Sequence, residues 1–211
     1  MRANVLYIFG NGLSRKPINP PKLNGYIYGC NRFYREYPQA DKVFCADLPI
    51  TREILQNNYK GTVIYRYDTF RRFTAKELEN MNLLDNWRPF YPEQVIEKLK
   101  KGSYSSGARA VTYAVHVDPL ERKKEWDAIY LLGFDFFNMA GRKNATPANA
   151  GHMYAGQPFY ERAVYKRTGA DFILQIEQFK DKFIRVVNKD VVRVPNWNEM
   201  SIEEFMCKHQ L

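Results

Sequence analysis

Val5–Arg15, VLYIFGNGLSR, is the stretch on which the reading of the fold turns. Five apolar residues from Val5 to Phe9 make a run of strand length with no polar alternation, the pattern of a strand covered on both faces. Gly10-Asn11-Gly12 ends it abruptly. Glycine opens the backbone to conformations and close approaches that a Cβ forbids. In an α/β sheet, ligands bind in the crevice beyond the carboxyl ends of the strands, which is where such a turn would lie. Taken alone, the turn is equally compatible with a purely structural role.

Outward from there, the same grammar repeats. Lys16–Leu23 carries three prolines and is read as an irregular connection. Tyr26–Tyr28 is a second short strand closed by Gly29-Cys30-Asn31. Lys42–Asp47 is a third, followed by Pro49 opening a helix to about Asn57. Thr62–Tyr67 alternates as a fourth strand does. Residues 68–104 form an excursion, with a T-x-x-E capping box at Thr74–Glu77 and a helix after Pro92 stopped by Gly102. Asn80–Tyr91 within it lacks a period, and position alone suggests a lid over a site. Ser105-Ser106-Gly107 opens a helix rich in small residues, Ala108, Ala110 and Ala114, which Asp118-Pro119 should end. Ala128–Leu132 is the second strongly buried strand, closed by Gly133-Phe134-Asp135. Asn138–Gly156 is loop-like, Phe159–Gly169 reads as a helix, Phe183–Val187 as a strand, and Ser201–Glu204 as a second capping box. Strands separated by short helices predict an α/β fold with a doubly wound, mainly parallel sheet, in one domain over 1–211.

Size and composition agree with that picture. The chain has 211 residues, 45% hydrophobic and 15% aromatic, ample for a core. No apolar run approaches the roughly 20 residues of a membrane span, and no signal-peptide pattern follows Met1, so a cytoplasmic location is expected. Cys30, Cys45 and Cys207 are odd in number and far apart, and read as buried reduced thiols. The net charge of +9 favours polyanions, nucleic acid among them.

Several chemistries lack their residues. A dinucleotide G-x-G-x-x-G would need glycine where Arg15 stands, and Asn31 occupies the place of the acidic ribose partner. There is no Walker lysine pattern, no G-x-S-x-G elbow and no D-x-D pair for a metal on a diphosphate. His116, His152 and His209 lack ligand spacing. No metal or other cofactor is expected. What stands at the strand ends is neutral and polar: Asn11, Asn31, Ser105 and Ser106, beside backbone N–H groups. Such groups hold phosphate, ribose or base by hydrogen bonds. Ser105 or Ser106 equally suits a simple helix cap.

Three segments in order resemble the bacterial lipooligosaccharide-type sialyltransferases, glycosyltransferase family forty-two, with their phage and uncharacterised relatives. They are Ile8–Ser14 (IFGNGLS), Gly29–Tyr34 (GCNRFY), and Ser105-Ser106-Gly107 followed by Ile129–Phe136 (IYLLGFDF). The resemblance covers Val5 to about Phe137 and is loose beyond. It implies a Rossmann-like domain of the metal-independent glycosyltransferase type, a CMP-activated or other nucleotide-sugar donor, and a glycan or other hydroxyl acceptor. By the same resemblance Gly10, Asn11, Gly12, Asn31, Ser105, Ser106, Gly107, Phe134 and Asp135 would bind the donor.

The chain departs from the family at telling places. The aromatic after the Asp-Phe pair is Phe137 rather than tyrosine. The asparagine after the third strand is replaced by Ala46 or Asp47. The Tyr-x-Gly-His segment becomes Tyr154-Ala155-Gly156-Gln157. His152 is then the candidate general base, or an ordinary loop histidine, and Tyr154 the phenol that would replace the missing one. Two functions follow: a sialyltransferase-like glycosyltransferase, or a catalytically degenerate relative whose nucleotide pocket serves binding or nucleic-acid association.

Overall fold

The computed structural model describes residues 1–66, 71–82, 85–90, 105–135, 169–189, 191 and 193–211. Its strands are β1 (Val5–Phe9), β2 (Tyr26–Cys30), β3 (Lys42–Cys45), β4 (Thr62–Arg66), β5 (Trp87–Phe90), β6 (Ala128–Leu132), β7 (Ile184–Val187) and β8 (Glu199–Ser201). They form an eight-stranded sheet in the order β5-β4-β3-β2-β1-β6-β7-β8. Every neighbouring pair is parallel. The expected doubly wound parallel sheet is what forms. β1 lies inside it, with Ile8 opposite Tyr28 on one side and Leu131 on the other.

The helices are α1 (Phe33–Glu36), α2 (Leu48–Gln56), α3 (Ala75–Asn82), α4 (Ser106–Thr112), α5 (Asp118–Arg122), α6 (Gly169–Ile176) and α7 (Ile202–His209). They cover both faces. Tyr7, Phe9, Val43 and Tyr130 point into one layer with Ile50 and Ile54 of α2 and Phe205 of α7. Leu6, Ile8, Phe44 and Leu131 point into the other with Ala108, Ala110 and Val111 of α4 and Ile176 of α6. Alternate residues of β1 therefore enter opposite cores, which is why its sequence is apolar without alternation. Each such side chain, fully buried, contributes about 1.5–3 kcal/mol relative to exposure.

Both capping boxes read from the sequence form. Thr74 and Glu77 exchange side-chain-to-backbone hydrogen bonds at the start of α3. Ser201 and Glu204 do the same at α7.

Four expectations need correction. The helix from Ser106 does not end at Asp118-Pro119. It passes through a π-helical turn, Tyr113–Val117, into α5, with Asp118 in the right-handed helical region. The wider turn displaces the carbonyl that the proline ring would strike, and Pro119 sits in the first turn of α5, where no N–H is needed. Second, Asn80–Tyr91 is not wholly an irregular excursion, because Trp87–Phe90 is β5. It pairs only with β4 among the described residues, an edge position that tolerates Pro89. Third, β8 extends the sheet beyond β7, where no strand was expected. Fourth, Cys30 and Cys45 are buried free thiols as expected, but Cys207 is exposed. The helix after Pro92, the Asn138–Gly156 loop and all of the expected Phe159–Gly169 helix except Gly169 lie outside the described residues, and Gly169 opens α6.

Candidate functional site

Strand order reverses between β1 and β6, since β2 to β5 continue to one side of β1 and β7 and β8 to the other side of β6. Such a switch point leaves a crevice at the carboxyl ends of the two strands. Their closing turns meet there. Gly10 N–H donates to Leu132 O at 2.7 Å, and Gly12 N–H to Gly133 O at 2.8 Å. The contact excludes side chains: a Cβ on Gly10 would lie 2.6 Å from Gly133 O, and one on Gly12 would collide with the Asp135 carboxylate. Gly133 has φ +73°, so glycine suits this turn for its backbone as well.

Asp135 seals the junction. Its Oδ2 accepts from Ser14 N–H at 2.9 Å and its Oδ1 from the Ser14 hydroxyl. Burial pushes its carboxyl up from the usual range, while the Ser14 bonds and the charges of Arg185 and Arg15 act the other way. Phe134 is buried beside it, and Cβ atoms built on Gly10 and Gly107 would lie 3.1 Å and 3.0 Å from its ring carbons. Phe134 thus wedges the first turn against the start of α4.

A directed relay crosses to β2 and β3. Ala46 N–H donates to Ser106 Oγ at 3.0 Å. Ser106 Oγ then donates to Asn31 Oδ1 at 2.7 Å. An amide N–H can only donate, so the serine hydrogen is left for Asn31 and meets the acceptor end of its amide. Asn31, in the left-handed region at φ 56°, is thereby oriented with its NH2 as the end available to a ligand. Ser105 does something different: it is the N-cap of α4 and accepts from Ala108 N–H at 3.2 Å. Of the two serines, Ser105 caps, and Ser106 joins three segments of chain.

The residues named from the sequence are therefore brought together at one edge: Gly10 to Gly12, Asn31, Ser105 to Gly107, Phe134 and Asp135. Asp135 and Phe134 make the joint between turns. Asn31 is buried and Asn11 half-buried at this edge. Of the two residues considered in place of the family's asparagine, Ala46 is buried in the relay and Asp47 is exposed at the head of α2. His152 and Tyr154, and the departures Phe137 and Gln157, lie outside the described residues. Among the described residues no three His, Cys, Asp or Glu side chains gather so as to hold a metal ion. No helix among them is long and apolar enough to cross a membrane. Burial pushes the Cys30 and Cys45 thiols up to about 12, which removes them as nucleophiles.

Two buried arginines escaped the sequence reading. Arg15, 3% exposed, donates from Nε to Gly10 O at 2.7 Å and reaches both Glu36 carboxylate oxygens at 2.8 Å. Arg185, fully buried, donates from Nε to Phe134 O at 2.8 Å and from Nη1 to Glu199 at 2.6 Å. Each holds the carbonyl of one closing turn. The available signal was an arginine set among apolar residues, in FIRVV, on a strand that turns out to lie inside the sheet.

No family model and no curated protein sequence matches the chain. Solved structures do. The sialyltransferase CST-II, determined in complex with a trisaccharide acceptor and CMP, matches with TM-score 0.50 at 15% identity, over 98% of this chain and 98% of its own. The monofunctional alpha-2,3-sialyltransferase Cst-I from Campylobacter jejuni matches with TM-score 0.46 at 17% identity, over 90% and 78%. CstII from Campylobacter jejuni in complex with the substrate analogue cytidine-5'-monophosphate matches with TM-score 0.44 at 15% identity, over 88% and 80%. An all-parallel sheet with a glycine-lined switch point, matched to CST-II along nearly its whole length, gives this chain the fold of that sialyltransferase.

Proposed function

We propose that this chain is a sialyltransferase-like glycosyltransferase, moving a sugar from a CMP-activated donor to a hydroxyl acceptor. One observation carries the reading: the three separate segments on which the sequence resemblance rests converge on the switch point of a fold shared with CST-II. The oriented amide of Asn31 suits the acceptor oxygens of a nucleotide phosphate or ribose. The acceptor hydroxyl oxygen would form a bond to the anomeric carbon as the bond to the phosphate oxygen breaks. CMP departs with that electron pair, and the hydroxyl proton passes to a base, for which His152 is the candidate. CMP leaves as a monophosphate ester, so the reaction makes no demand for a metal clamp on a diphosphate.

Calorimetric titration with CMP, CDP, UDP and GDP tests the pocket, with cytidine nucleotides expected to bind and the others not. Release of CMP from a CMP-sugar in the presence of a glycan acceptor tests the reaction. Substitution of His152 by alanine should abolish turnover and spare CMP binding. Failure of every nucleotide to bind would sink the reading. The degenerate alternative draws on Gln157 and Phe137, which stand where the family resemblance leads one to expect a histidine and a tyrosine. Tight CMP binding with no turnover on any CMP-sugar would favour it, as would duplex DNA binding that falls steeply with salt.

A further inference from the structure

β7 buries a full charge beside the turns that close the crevice. Arg185 lies between β6 and β8, in register with Leu131 and Glu199, and is completely buried. Burying a guanidinium costs several kcal/mol unless charge and hydrogen bonds compensate. Here Glu199, whose side chain is 4% exposed, supplies the charge, and it also accepts from Val194 N–H at 3.1 Å. The acid is thus fixed by its own neighbours, and it fixes the arginine. Its Nε also donates to Phe134 O, outside the ladder of the sheet. That carbonyl belongs to the turn from which the pocket edge hangs. Gly133 O holds Gly12 N–H, Asp135 holds Ser14 N–H, and the Phe134 ring lies against Gly10 and Gly107.

We propose that Arg185 is a positioning residue of the candidate nucleotide pocket, fixing the Gly133–Asp135 turn, and through it the Gly10–Ser14 turn, from a charge anchored on β8. The inference rests on the proposed function for its ligand, though its geometric content stands apart from it. The guanidinium is suited to the task because it donates in two fixed directions at once, to a carbonyl and a carboxylate. A lysine ammonium keeps the charge beside Glu199 but cannot hold both in a planar fork.

The test compares wild type, Arg185→Lys, and Phe205→Leu, a core change in the opposite layer that lowers stability by another route. All are measured well below their melting temperatures. Amide hydrogen exchange at Gly12 and Ser14 should quicken by about tenfold or more in Arg185→Lys, as expected when protecting bonds open locally, and should not change in Phe205→Leu. The CMP dissociation constant should rise by about tenfold in Arg185→Lys alone, the equivalent of about 1.4 kcal/mol. Equal exchange and equal CMP affinity in the two variants would overturn the inference and leave Arg185 a structural ion pair. If wild type binds no CMP, the nucleotide reading fails on its own, and the exchange at Gly12 and Ser14 still decides whether Arg185 positions the turn. Should Arg185→Lys not fold, Arg185→Met combined with Glu199→Gln removes both charges together and is judged by the same two readouts.

Discussion

Two buried polar assemblies sit on this sheet and differ in one respect. At the start of α5, Asp118 is fully buried and accepts from Tyr28 OH at 2.6 Å, Lys42 Nζ at 2.7 Å and Trp126 Nε1 at 3.3 Å. Every donor aimed at it comes from the protein itself. Burial still pushes its carboxyl up despite the lysine, and pushes the Tyr28 phenol up as well. At the carboxyl edge, the Ala46–Ser106–Asn31 relay ends differently, consuming the acceptor of Asn31 and leaving its donors outward. A closed network specifies structure. An open one specifies structure and also what can dock on it: a group rich in acceptors.

That difference can be broken by substitution. Asp118→Leu should be the most costly, about 3–5 kcal/mol in urea unfolding, because it strands the buried partners of a charge. The folded variant should bind CMP within about twofold of wild type, since distant sites couple by less than about 0.5 kcal/mol. Loss of CMP binding in that variant would mean the two assemblies act as one. Ser106→Ala should cost less stability, about 1–3 kcal/mol for the bonds left unmade. It frees the Asn31 amide to turn over, and CMP affinity by calorimetry should fall about tenfold, the equivalent of about 1.4 kcal/mol. Unchanged affinity would remove the relay from recognition.

Gly107→Ala should do less again. Helix propensity gains about 0.5–1 kcal/mol, against a Cβ at 3.0 Å from a Phe134 ring carbon. Tm should therefore stay close to wild type while CMP affinity weakens, because the ring that yields is the wedge between turn and helix. The smallest effect belongs to a third place, α7. His209 packs on Tyr7, Tyr130 and Phe205, and its Nδ1 lies 3.1 Å from Tyr7 OH. Burial, with Lys208 adding to it, lowers its pKa below the ordinary 6.5. The unfolded chain then binds more protons there, so stability is present above about pH 6.5 and declines as pH falls through that value. Melting curves between pH 8 and pH 5 should show that decline in wild type and a shallower one in His209→Gln, with CMP affinity alike in both.

Sequence carried the middle of the molecule better than its margins. β1 and β6 were legible because a strand packed on both faces has no polar alternation to confuse it, and glycines mark where each ends. β5, paired only with β4 among the described residues, was hidden because Arg88 and Pro89 are admissible there and erase the strand pattern. β8 was too short to carry a pattern at all. At the candidate site, the turn glycines and Asn31 were readable from their places after strands, and Ser106 from its place at the start of a helix. Arg15 and Arg185 were not, because a lone arginine ordinarily marks a wet face, and only the arrangement of strands shows these to be buried. The π-helical turn before Pro119 was likewise beyond local rules, since a proline after Asp118 reads as a stop unless the preceding turn widens.

The central place of β1 also has a temporal meaning. The strand precedes both of its neighbours in the chain: β2 follows from Tyr26, whereas β6 begins only at Ala128, so one edge of β1 has its partner sequence early in synthesis and the other much later. At about 5–20 residues per second of synthesis, that edge waits on the order of ten seconds for its partner. Throughout that interval the Gly10–Gly12 turn has no Gly133 to bond and no Asp135 to close it. The crevice is thus a late product of folding, completed when two halves of the chain, long separate in time, come to lie edge to edge.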